Sequence, residues 1–167
     1  MNDNHFLESF DFLVVDSIEY FKFEKEFIDG GFRCIPMVVR LKMDKAGIKL
    51  KLAEWSIFTE KERLELAKKQ CRNKMETKKF KSYLKGLVRK HTGSAATIFA
   101  VDENPAWANT SEVPEMFLSK IKSYGWSIAV DQWKKLSCLQ RFALLKLSND
   151  GHEHKNLPKA MKEFGLI

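Results

Sequence analysis

The side chains able to do chemistry in this 167-residue sequence are few and scattered. His152-Glu153-His154 is the one local cluster of metal-capable groups. On an extended loop His152 and His154 point to the same side. A site there would still need two ligands more, drawn from Cys34, Cys71 or Cys138. Two neighbouring histidines on a polar loop are ordinarily solvated, so no metal and no cofactor is expected. The three cysteines are odd in number and far apart, which argues against a disulfide framework and for a reducing compartment. Cys138 falls in the first turn of an expected helix, where a thiolate is stabilised. There is no G-x-G-x-x-G, no G-x-x-x-x-G-K-[ST], no G-x-S-x-G, no H-E-x-x-H and no C-x-x-C. No acid–base pair is signalled either, and the chain reads as not an enzyme.

Charge is the second source of chemistry. The chain holds 29 Lys and Arg against 22 Asp and Glu. The first twenty residues are acidic, with Asp3, Glu8, Asp11, Asp16 and Glu19 and no basic residue. Between Lys61 and Lys90 twelve Lys and Arg face three acids. Such a stretch attracts nucleic acid, an anionic surface or an acidic partner, or is simply a solvated face. Its candidate binding residues are Lys74, Lys78, Lys79, Lys81, Lys85 and Arg89. Phe80 and Tyr83 interleave with them at helical spacing, which points them toward a core rather than toward bases.

Positioning these groups requires an architecture, and the chain resembles itself at an offset of 78 residues without a gap. Pro36, Lys42, Gly47, Trp55, Arg63, Leu66 and Lys68 match Pro114, Lys120, Gly125, Trp133, Arg141, Leu144 and Lys146. Prolines at the first turn open a helix in each copy, and the glycines suit its left-handed end. Thr59 to Glu62 and Ser137 to Gln140 both read as capping boxes. Glu60 occupies the position matching Cys138, so that turn does not demand a thiol. Between glycine and box lie alternating stretches, Ile48, Leu50, Leu52 and Trp126, Ile128, Val130, which predict extended segments. These two segments are candidates to pair as a ribbon. Trp55 and Trp133 are expected core anchors.

A last helix closes each unit, over Met75 to Lys90 and over Leu157 to Phe164 with Pro158 in its first turn. Ile18 to Ile28 reads as helical, stopped by Gly30-Gly31. The expected fold is all-α: two similar multi-helix units in one compact domain, with room for a short two-stranded ribbon. Residues 1–17 form an N-terminal extension and 18–167 a single helical domain. Its units cover about 33–91 and 112–166, joined by a loop over 92–111. The unit resembles an EF-hand pair in outline but fails as a calcium site, because Ala53 stands where the bidentate Glu belongs. No stretch approaches the roughly 18 apolar residues of a membrane span, and no signal peptide is read. A cytoplasmic protein is expected.

Several stretches together resemble a known family. They are Phe23 to Phe27, Arg33 to Arg40, Gly47 to Leu50, Asn104 to Trp107, Leu139 to Leu144, His152-Glu153, Asn156 and Lys162 to Leu166. In order, these are similar to the conserved nitrate-reductase-associated proteins, whose genes accompany those of nitrate reductase and molybdopterin biosynthesis. The resemblance implies an accessory protein that helps an assimilatory, molybdenum-containing nitrate reductase reach or keep its active form. It implies a nitrate reductase or a molybdopterin-biosynthesis protein as partner. Within the shared stretches, Arg33 and Cys34 lead into a helix, as a packed turn or as a contact. Trp107 either pins its loop to the core or anchors a partner. Asn156 suits the N-cap of the last helix, and His152 has no evident structural duty. Arg33, Cys34, Trp107, His152 and Asn156 are therefore the candidate partner-binding residues, with the basic face as the alternative, nucleic-acid-binding surface.

Overall fold

A computed structural model describes residues 18–149 and 155–167, and the backbone of 7–9 and 12–15. The described chain divides into two compact units. The first holds residues up to Tyr20 and Glu24–Asp102, and the second holds Phe21–Phe23 and Glu103–Ile167.

In the first unit, strands β1 (Leu7–Ser9), β2 (Phe12–Val15) and β3 (Ile18–Tyr20) form an antiparallel sheet. This corrects the helix expected over Ile18 to Ile28. Ile18 and Tyr20 are buried while Glu19 between them is exposed, a period of two that only a strand produces. The helical part of that stretch begins later, with a 3-10 turn at Lys22–Glu24 that leads into helix α1 (Lys25–Asp29). The all-α expectation is corrected to a predominantly helical fold with small antiparallel sheets.

Helix α2 (Met37–Ala46) follows Pro36, which serves as its N-cap residue. Val39, Met43 and Ala46 recur at helical spacing and are buried. The buried Glu24 carboxylate accepts a hydrogen bond at 2.7 Å from the free Met37 N–H at the first turn. Gly47 ends the helix in the left-handed region, at φ 64°. A Cβ on Gly47 would lie 2.5 Å from the Phe99 carbonyl oxygen, so both conformation and space require glycine there.

Strand β4 (Ile48–Lys49) pairs antiparallel with β5 (Thr97–Ile98). A two-stranded ribbon therefore exists, but its partner strand comes from the expected 92–111 loop. The ribbon does not join the two alternating stretches, and residues 126–129 form no strand.

Helices α3 (Leu52–Ile57), α4 (Glu60–Lys68) and α5 (Lys74–Thr92) complete the first unit. Glu54 accepts the Lys51 N–H ahead of α3. Thr59 and Glu62 exchange the reciprocal bonds of a capping box ahead of α4. Helix α5 buries Phe80, Leu84, Leu87 and Val88 and packs on α2 and α3.

The second unit runs through a 3-10 turn at Ala106–Ala108, α6 (Glu115–Lys122), α7 (Val130–Lys135), α8 (Cys138–Ser148) and α9 (Asn156–Glu163). Helix α8 is buried almost all round and touches α6, α9 and the 3-10 turn, so it is the hub of this unit. Gln132 caps α7 through the Ala129 N–H, and Ser137 with Gln140 forms the expected box on α8. The Glu163 carboxylate accepts from the N–H groups of Lys22 and Phe23, at 2.7 and 3.1 Å. Phe21 packs against Phe23 and Phe164 beside it.

Each unit is tied by one tryptophan and one arginine. Both indoles are fully buried, and each N–H donates to a loop carbonyl: Trp55 to Phe32 at 2.6 Å, Trp133 to Asn109 at 3.0 Å. Arg63 donates to the carbonyls of Gly31, Trp55 and Ser56, and Arg141 to those of Trp107 and Leu136. Trp55 and Ser56 lie in the last turn of α3, and Leu136 ends α7. Each guanidinium thus neutralises the negative end of a short helix while fixing a loop. Lysine keeps the charge but not the fork. Arg141→Lys is expected to destabilise the protein by about 2–4 kcal/mol and Arg63→Lys, at a half-buried site, by about 1–2 kcal/mol, measured by urea unfolding.

Candidate partner-binding surfaces

Helix α5 is the most strongly charged element and is held at both ends. At its start the Asn73 carboxamide oxygen accepts the Glu76 N–H, and Glu76 pairs with Arg72 at 2.7 Å. At its end Lys90 and His91 converge on the buried Glu62 of α4. Lys90 Nζ and His91 Nε2 each lie 2.8 Å from a Glu62 oxygen. The His91 ring also rests on Phe58, with centroids 5.5 Å apart. These contacts fix how α5 is rotated, and therefore which side chains it offers outward.

The outward side carries Lys74, Lys78, Lys79, Lys85 and Arg89, all exposed, with Lys81 half-buried. Among the described residues none of these six side chains makes an ion pair. A shallow open depression on this side is lined by Lys74, Met75, Lys78, Lys79 and Ser82. Phe80 is fully buried, and Tyr83 is half-buried under the Lys69 ammonium, 4.5 Å from its ring centre. The surface is cationic and offers no free aromatic platform.

The other candidates fall on both units. Arg33 is exposed and Cys34 half-buried in the turn between α1 and α2, with the Arg33 side chain lying over Gly30. Trp107 is half-buried in the 3-10 turn of the second unit. Its ring meets Phe142 edge-on at 6.2 Å, and its carbonyl is held by Arg141 at 2.8 Å. Asn156 is the first residue of α9, whose N-cap is Lys155, so its expected capping role is corrected by one position. His152 and His154 lie outside the described residues. The thiols are dispersed: Cys71 is buried, and Cys34 and Cys138 are half-buried. Among the described residues no three His, Cys, Asp or Glu gather as a metal site.

Two polar groups have distant partners that the sequence does not signal. Lys42 is buried, donates to the Ala67 carbonyl at 2.6 Å, and so joins α2 to the end of α4. Burial pushes its pKa down to about 8, against the opposing pull of Cys71 and Glu19. Glu62 shows the reverse balance. Burial pushes its carboxyl up, and the bonds from Lys90, the Thr59 backbone and His91 outweigh that, bringing it down to about 2. A carboxylate depressed in the folded state adds stability that is complete above its unfolded value near 4.5 and is lost as pH falls toward about 2. Glu62→Gln is therefore expected to cost about 1–2 kcal/mol at neutral pH and to flatten stability against pH over that acid window, read by urea unfolding at stepped pH.

No described helix is long and apolar enough to cross a membrane. Neither the curated proteins nor the solved structures yield a match. The sequence pattern of one family, the conserved nitrate reductase-associated protein, matches residues 20–164. The match takes in both units and leaves out the acidic first nineteen residues. It covers most of the 167 residues, and the chain therefore belongs to the conserved nitrate reductase-associated protein family.

Proposed function

We propose that this chain is a non-catalytic, cytoplasmic accessory protein that supports a molybdenum-dependent nitrate reductase through protein–protein contact. The observation that carries this reading is the family match over residues 20–164. The fold is consistent with it. Buried charged groups such as Glu24, Glu62 and Arg141 are engaged in capping helices and clamping loops, while the unengaged charge lies on the surface. That division suits a scaffold that presents a surface. Two modes of support fit: holding an apo-enzyme open while the molybdopterin cofactor is inserted, or stabilising the enzyme afterwards. The partner is the reductase itself or a molybdopterin-biosynthesis protein. Arg33, Cys34, Trp107, His152 and Asn156 are the contact residues proposed outside α5.

Deleting the gene in the native host is expected to lower nitrate-dependent growth and nitrate reductase activity several-fold, with growth on ammonium unchanged. Intact reductase activity in the deletion strain would overturn the reading.

A further inference from the structure

The outward side of α5 has an internal order that its charge alone does not reveal. On a helical projection Met75, Ser82 and Gly86 fall on one line, at spacings of seven and four residues. Lys74, Lys78, Lys85 and Arg89 flank that line on one side and Lys79 on the other, while Lys90 is held by Glu62. Met75 is 69% exposed, more than any other large apolar side chain in the described chain. A Cβ on Gly86 would meet nothing within 4 Å, so the backbone is open to approach there. The result is a narrow path, apolar at one end and low along its middle, walled by ammonium groups. The helix is about 28 Å long over its nineteen residues.

We infer that this path is a docking site for an acidic amphipathic helix on a protein partner, with its carboxylates on the lysine walls and an apolar side chain against Met75. The inference rests on the accessory reading only in taking the partner to be a protein. Charge complementarity supplies the sign of the occupant. The path supplies its shape, because small residues at Ser82 and Gly86 let a second helix lie close along α5. Met75 distinguishes this occupant from a nucleic acid. Against phosphates a thioether at the end of the lysine row is covered without gain, whereas an apolar anchor turns its burial into affinity. No exposed aromatic on this side offers a base a stacking surface.

The test is fluorescence anisotropy with a labelled, Glu-rich amphipathic peptide of about 18 residues, long enough to run along most of α5. A scrambled peptide of the same composition and an 18-base-pair DNA duplex are the comparisons. All the altered side chains are exposed, and circular dichroism confirms that each variant folds. The amphipathic peptide is expected to bind more tightly than either comparison. Lys78→Glu with Lys85→Glu should weaken it at least tenfold, and Met75→Ala about threefold. Three results would each overturn the inference: no binding of the peptide at low salt, tighter binding of the duplex, or binding unaffected by Met75→Ala. Such a failure beside a deletion strain that still loses reductase activity would remove this surface and leave the accessory reading standing.

Discussion

Arg141 is buried, and a buried guanidinium must find acceptors for its donors or the fold loses several kcal/mol. Among the described residues it finds carbonyls, not a carboxylate. One belongs to the loop residue Trp107 and one to Leu136 at the end of α7. Those two bonds set the distance between the loop and the short helix, and the buried Trp133 seals the space between with its own bond to Asn109. In the first unit Arg63 and Trp55 solve the same problem with Gly31, Ser56 and Phe32, and the guanidinium carbon also lies 5.8 Å from the Trp55 ring centre. Short helices such as α3 and α7 are too brief to be stable alone. An arginine at their negative ends and a tryptophan in their interior give them a fixed place, and the longer helices pack on that frame.

Much of this was legible in residue types. Prolines before α2 and α6, glycines at their left-handed ends and both capping boxes carry local signals, because the chemistry that makes them work is confined to a few neighbouring residues. The burial of Trp55 and Trp133 followed from their size. Other features depend on partners distant in the chain. Strand β3 exists because β2 pairs with it, and β4 finds Thr97–Ile98 rather than the second alternating stretch. The acceptors of Arg63 and Arg141 are backbone carbonyls, which leave no trace in a sequence. The two arginines could be matched to one another, yet not recognised as clamps. Exposure of Met75 likewise depends on the rotation of α5, which Glu62 fixes from another helix.

The charged side of α5 follows from the same division of labour. Glu62 holds Lys90 and His91 at one end of α5, and Glu76 holds Arg72 at the other. Between them the cations have no carboxylate of their own among the described residues. A helix that spends its apolar face on the core and leaves that many like charges unmatched carries a modest electrostatic cost. An acidic partner, as proposed for this surface, would relieve that cost.

The most direct test of this account is recovery of the tagged protein from its native host under nitrate growth, with nuclease treatment before elution. Nitrate reductase or a molybdopterin-biosynthesis protein is expected to be recovered with the unaltered chain and lost with Lys78→Glu and Lys85→Glu combined. Recovery of neither protein, with nucleic acid enriched when the nuclease is omitted, would contradict it.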